Sequence, residues 1–369
     1  MIKNNNLKVV HLTTVHPKND NRIFYKECIT LKENGFDVSL VVAGEQDKTI
    51  NGVNIIGFKK HNSRIRRIFK TSFFDLLKVC KKLDADIYHF HDPEVIFAGL
   101  YLKLIGKKVI YDIHENNPAA IMSKPYIKSL FYKKVISKIF NIVELIASRF
   151  FDGLVTARPD ISKRFKHKQL ITLRNFPILP DLSKLKQLDI EKEKPIVIFV
   201  GGMTKLRGIN ELLDAFEDLD DYELWLLGPV TEDELNKRIT NGCKNVVYKG
   251  RVEAYDVFSY IDKADIGIIT FLEAPNHIET LATKPFEYMA CGKPMIMSNF
   301  KYWKDTFEDS SYYVDPSDVE DIKDTIIKLM ENKEDRRKMA EQNLYLSKNE
   351  YNWEKESKKL LALYKKIIK

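Results

Sequence analysis

Cysteine is scarce in this chain: four in 369 residues (Cys28, Cys80, Cys243 and Cys291), widely scattered and with no C-x-x-C pair. That argues against a disulfide framework or a zinc ribbon, and the four read as reduced thiols. No apolar run approaches the ~20 residues a membrane-crossing helix needs. The stretch from Met1 to His11 lacks a signal-peptide pattern and leads straight into a strand. An aromatic RNP run, a zinc knuckle and a helix-turn-helix signal are all missing, so nucleic acid is not an expected partner. Acidic residues are in short supply only in the first half: residues 1–180 hold 31 Lys+Arg against 16 Asp+Glu, and the remainder 29 against 36. A basic first half points to an anionic partner, a membrane surface or a lipid phosphate. What is present, 44% hydrophobic and 30% charged residues, fits a cytosolic globular enzyme, and the length fits two domains.

The apolar runs alternate strand with helix. Strands are expected at 7–12, 38–42, 87–90, 109–113, 154–157 and 171–173, with helical patterns such as 24–34 and 76–83 between them. A polar break follows Pro180, and the pattern resumes with strands at 196–200, 224–227, 246–248, 266–270, 295–297 and 312–314. Continuous rather than alternating apolar strands predict mainly parallel sheets covered on both faces. The expected organisation is an α/β pair of Rossmann-like domains facing across a cleft, at 1–176 and 195–350 with a linker at 177–194.

Two stretches of the second half carry chemistry. In the first, the strand 196–200 runs into Gly201 and Gly202, then Lys205, Arg207 and an amphipathic helix. Paired glycines allow close backbone approach, and the cations and helix start suit a phosphate. In the second, Glu279 and Glu287 bracket Lys284 ahead of a small-residue turn and a buried strand. This spacing resembles the E-x7-E signature of retaining glycosyltransferases of family 4, which have the GT-B fold. The glycine stretch resembles that family's arginine- and lysine-bearing donor-phosphate motif, with Gly202 at the usual arginine position and Arg207 at the usual lysine position.

The resemblance spans the chain and implies a metal-independent glycosyltransferase of surface-polysaccharide synthesis, moving a hexosyl or N-acetylhexosaminyl-type sugar with retention. The donor would be a nucleotide-sugar, UDP-linked, with no cofactor. Gly201, Gly202, Lys205, Arg207 and Lys284 would hold the diphosphate, Glu287 the ribose, and Arg251 would border the base. Glu279 would lie by the donor sugar. The helix at 351–369 would return to the first domain.

Polar clusters also follow three strands of the first half: Thr13 to Lys26, His89 to Glu94, and Tyr111 to Asn117. Carboxyl ends of parallel strands are where ligands sit. There the resemblance covers H-D-P-E and Y-D-x-H-E runs. His114 is assigned to the reacting centre, and Asp20, Arg22, His91 and Glu115 to the acceptor, a glycan or polyprenyl-linked glycan. His89 is read as a packed strand histidine pointing away from His91. A metal on His91 with Asp92 or Glu94 is disfavoured, for want of further ligands at diagnostic spacing. Asp84 and Asp86 form a D-x-D that precedes its strand, at the wrong end of the sheet. Basic, aromatic-rich stretches at 61–70 and 128–140 suit peripheral contact with an anionic membrane, placing the protein in the cytoplasm or on the inner membrane face. The competing expectations are a sugar-nucleotide epimerase and a non-catalytic GT-B assembly protein, the latter favoured by Gly202.

Overall fold

The structure, a computed structural model, describes residues 7–63, 66–124, 127–242, 244–253 and 256–369. Cys243 and the Arg64-Ile65 part of the first basic stretch lie outside these residues. The chain forms two compact units, Met1–Asn175 with Glu354–Lys369, and Phe176–Trp353.

The first unit is built on eight strands: β1 (Lys8–Thr13), β2 (Asp37–Ala43), β3 (Lys48–Ile50), β4 (Val53–Phe58), β5 (Ile87–Phe90), β6 (Lys108–Ile113), β7 (Gly153–Thr156) and β8 (Leu170–Thr172). Their spatial order is β3-β4-β2-β1-β5-β6-β7-β8. All neighbours are parallel except β3 and β4. Those two form a hairpin that the apolar pattern does not announce. Its turn is Asn51-Gly52 with φ of 49° and 75°, the positive-φ pair that favours Asn-Gly. Chain order reverses between β1 and β5, a switch point that opens a crevice beyond their carboxyl ends.

Parallel register there places His11 beside His89. The expected helix at 24–34 begins earlier, as a π-helical segment Asn21–Cys28 continuing into the α-helix Ile29–Glu33. Asp20 caps it, its carboxylate accepting from the N–H groups of Arg22 and Ile23 at 2.9 Å each. The Trp353–Ile368 helix closes this unit's core: Tyr364 Oη lies 2.9 Å from His89 Nδ1, and Ile367 packs so close to Gly153 that a Cβ there would come within 2.8 Å of it.

The second unit holds β9 (Ile196–Val200), β10 (Glu223–Leu227), β11 (Val246–Gly250), β12 (Ile266–Ile269), β13 (Met295–Ser298) and β14 (Tyr312–Val314), ordered β11-β10-β9-β12-β13-β14 and parallel throughout. Its switch point falls between β9 and β12. β9 and β12 are fully apolar and buried, as strands covered on both faces must be.

Candidate active site

At the carboxyl end of β9 the backbone crosses other chain segments with no room for side chains. Gly208 has φ +69°, and a Cβ there would lie 1.8 Å from the Thr270 carbonyl oxygen beyond β12. Gly228, after β10, would place a Cβ 2.1 Å from the Gly201 carbonyl oxygen. The loop from Gly201 to Gly208 is thereby clamped from two sides.

Within this clamp Arg207 folds back over the paired glycines. Its Nη1 donates to the Gly202 carbonyl at 2.7 Å, and its guanidinium lies 5.3 Å from the centroid of the Phe271 ring. Nη1 sits 3.4 Å from where a Gly202 Cβ would be, so Arg207 brings its guanidinium up against the paired glycines. The group is half-buried, burial alone pulls it below the usual guanidinium value, and it has no ion-pair partner among the described residues. A desolvated cation without a counter-charge among the described residues can pair with an anion.

The helix Lys284–Ala290 is pinned onto the same strands by Tyr288. The Tyr288 hydroxyl accepts from the Val200 N–H at 3.2 Å and donates to the Ile198 carbonyl at 3.1 Å. Its ring lies over Gly267, where a Cβ would approach to 2.4 Å. The helix carries Lys284 and Glu287 together: Nζ donates to Oε2 at 2.6 Å, with the side chains 26% and 14% exposed. This helix and Ile209–Ala215 each span seven residues.

The remaining expected donor residues are more dispersed. Lys205 is half-exposed and its ammonium is held by Glu234 at 2.5 Å. Arg251 is exposed just past β11. Glu279 ends the short helix Pro275–Ile278 and lines a cavity of about 530 Å³ with Glu273, Phe300, Lys301, Tyr302 and Asp305.

In the first unit the expected residues converge on a carboxylate that sequence reasoning did not single out. Asp112 is fully buried and accepts from Arg22 through Nε and Nη2, both at 2.9 Å. It also lies 2.9 Å from His114 Nε2 and 3.2 Å from His91 Nδ1. Arg22 further donates to the Leu173 carbonyl at 2.7 Å and reaches Glu27 at 3.1 Å. Arg22, expected at the acceptor, is therefore a buried residue whose fork orients Asp112. His91 is likewise 2% exposed; it contacts His11 Nδ1 at 2.9 Å and His114 Nε2 at 3.2 Å.

His89 does not point away from His91: the two rings stack at 4.8 Å between centroids, because residues two apart on a strand share a face. Of the expected acceptor and catalytic residues of this unit, Glu115 is exposed, and His114 and Asp20 are partly exposed, Asp20 beside His16. Asp112 could have been found by the same alternation, since it shares His114's face. Glu27 could have been found as the acid on a helix's apolar side.

Burial and the neighbouring Asp112 push Glu27 well above the usual carboxylate range, while Arg22 opposes them. Burial also drives His11 and His89 well below the usual imidazole value and brings His91 down to about 4. Two groups here, His11-Glu27-His89-His91 and His91-Asp112-His114, have donor atoms within 4.8 Å of one another. Arg22 already supplies a fixed positive charge to both carboxylates, and hydrogen-bond contacts run from His11 through His91 to Asp112 and His114. The cluster is thus a polar network with its own cation. Asp92 and Glu94 are engaged elsewhere, on Thr13 and Thr14.

The histidines set a pH dependence. The unfolded chain binds protons near the ordinary imidazole value, the folded one only at lower pH, so stability falls as pH falls. For His91 the window runs from about pH 6.5 to about 4. The melting temperature is expected to decline through that range, and His91→Asn to flatten part of the decline. A melting temperature constant from pH 7 to 5 would contradict neutral buried imidazoles.

A family model described as glycosyl transferases group 1 matches residues 182–367, half of the chain. An uncharacterized glycosyltransferase of Methanocaldococcus jannaschii, MJ1178, is 26% identical over 218 residues, 57% of this chain and 60% of that protein. The chain thus spans about three fifths of that relative's length. An uncharacterized 41.2 kDa protein in the cps region of Klebsiella pneumoniae is 25% identical over 283 residues, covering 73% of this chain and 75% of that one. Among solved structures, Anabaena HepE in complex with UDP and glucose superposes with a TM-score of 0.71 at 12% identity, covering 98% of this chain and all of the other; that likeness shows the GT-B fold. On its sequence match the chain belongs to the glycosyl transferases group 1 family.

Proposed function

We propose that this chain transfers a sugar from a UDP-linked donor to a hydroxyl of a glycan or lipid-linked glycan, with retention, in surface-polysaccharide synthesis. The observation that carries this reading is Arg207, a half-buried guanidinium with no carboxylate partner among the described residues, clamped over Gly201 and Gly202. In the reaction the bond from the sugar's anomeric carbon to the diphosphate breaks and a bond to the acceptor oxygen forms. The acceptor proton passes to the departing diphosphate on the same face. Negative charge grows on that leaving group, and preorganised cations stabilise it.

Arg207 and Lys284 serve that role, which leaves no step that requires a metal. Lys284 exchanges its 2.6 Å contact with Glu287 for the diphosphate, and the carboxylate turns to the ribose hydroxyls. Glu279 faces the sugar. In the first unit, Asp112 orients His114 at the reacting centre, and Glu115 and Asp20 meet the acceptor. The acceptor is lipid-linked and presented at the inner face of the cell membrane, which the basic stretches contact peripherally. Gly202 favours an assembly protein only if the guanidinium is lost there, and Arg207 replaces it from the next turn.

Thermal shift with UDP, GDP, dTDP and CMP, each without magnesium, tests the donor reading on wild type and Lys284→Ala. UDP is expected to raise the wild-type melting temperature, and the variant to lose most of that rise. If no nucleotide shifts the wild type, the donor site does not exist and the non-catalytic reading takes its place.

A further inference from the structure

The Leu130–Ser148 helix turns an apolar stripe outward. At about 100° per residue, Phe131, Val135, Ile139, Ile142 and Ile146 fall within a sector of about 80°, and they are 37–70% exposed. The opposite side packs Phe140 and Ala147 on the core and also turns polar groups inward. Ser137 Oγ donates to the Pro118 carbonyl at 2.8 Å, and Asn141 Oδ1 accepts from Arg164 at 2.8 Å. Glu144, fully buried, accepts from Tyr111 at 2.9 Å, Asn117 at 2.7 Å and Arg164 at 2.6 Å. A helix on a globular surface ordinarily buries its apolar stripe.

The neighbouring Ile96–Leu104 helix extends the exposed apolar surface with Phe97, Tyr101 and Leu104, the last 84% exposed. Phe73 meets Tyr101 at 6.4 Å between ring centroids, which joins the segment Arg67–Asp75, with its exposed Phe69 and Phe74, to the same face. A surface of this kind marks an interaction site.

Charge identifies the occupant. Around the helix, Lys138 and Lys134 flank one margin of the stripe, while Lys133 lies on the opposite side. None of the three forms an ion pair among the described residues. An apolar stripe edged by lysines matches a bilayer interface, where acyl chains take the stripe and anionic headgroups take the ammonium groups. The helix is 19 residues long, about 28 Å, yet it holds three lysines and a glutamate, and among the described residues no helix is long and apolar enough to cross a membrane.

We infer that this helix inserts in plane into an anionic bilayer and, with the Ile96–Leu104 helix beside it, forms the docking surface of the first unit. The inference rests on the lipid-linked acceptor reading and goes beyond electrostatic contact, since it makes burial of the apolar stripe the anchor. Glu144 ties the inserted helix to Tyr111, next to Asp112, so the anchor is fastened to the strand that carries the histidine network.

Flotation of the full chain with vesicles of 30% phosphatidylglycerol and 70% phosphatidylcholine, against pure phosphatidylcholine, provides the test. Wild type is expected to bind the mixed vesicles at least about tenfold more tightly than the neutral ones. Ile139→Asp with Ile142→Asp, both at exposed positions, should weaken binding to mixed vesicles at least about tenfold with an unchanged melting temperature. Lys134→Gln with Lys138→Gln should abolish only the preference for anionic lipid.

Equal binding by wild type and the aspartate variant, or none by wild type, overturns the inference. So does a dimer in solution that the aspartate variant dissociates, which would make the face a contact between copies. UDP binding is measured in parallel. Flotation without UDP binding would retain the surface and remove the transferase reading, and the reverse result would do the opposite.

Discussion

Arg207→Ala lowers turnover at least about 100-fold, the loss expected when a preorganised donor to a developing anion is removed. The fold should survive, because Arg207 holds only one backbone carbonyl and one ring face. Arg207→Lys should recover little. A single ammonium cannot lie flat on Phe271 and also keep planar donors directed at Gly202 and at a phosphate. Gly202→Arg in the Arg207→Ala background is the sharper variant. With Arg207 truncated, the space near the Gly202 Cβ position, otherwise occupied by Nη1 at 3.4 Å, is open to a side chain from 202. Partial recovery of turnover there would show that the charge, and not the residue number, is what the site needs. Near-wild-type turnover in Arg207→Ala would remove the diphosphate from this loop altogether.

Arg22→Met is the second large effect, and it falls on stability. Removing one partner of a buried ion pair typically costs about 3–5 kcal/mol, because the remaining charge has nothing to face. Here the guanidinium faces two carboxylates, Asp112 at 2.9 Å and Glu27 at 3.1 Å. Glu27, already pushed upward, can take a proton, whereas Asp112 is held well below the usual range, its burial opposed by Arg22 and His114. The urea midpoint should therefore fall sharply for Arg22→Met and recover in part when Asp112→Asn is added. Arg22→Lys should rescue poorly, since the bidentate grip on Asp112 needs a planar fork. An unchanged midpoint for Arg22→Met would show that the network is held together without its cation.

The parallel strands were legible because each is a short, unbroken apolar run such as Ile196–Val200. The β3–β4 hairpin was not, since its strands are short and mixed, although Asn51-Gly52 held the turn signal. In the candidate site, Lys284 and Glu287 could be paired from spacing alone, being three apart on a helix. The hold of Arg207 on Gly202 could not, because it depends on a loop clamped by Gly208 and Gly228 against backbone 62 and 27 residues distant in sequence. Arg22 was misplaced for a related reason. An arginine after a polar loop reads as exposed, and only the 90-residue return to Asp112 buries it.

The last helix carries a consequence for how the chain is made. Residues 354–369 belong to the first unit, where Tyr364 meets His89 and Ile367 fills the space over Gly153. During synthesis the segment 1–175 leaves the ribosome long before the piece that completes it. The second unit, encoded between them, has all of its elements available before that helix and can close while the first unit still lacks it. Domains usually finish in the order they are translated; here the second unit is encoded in full before the first.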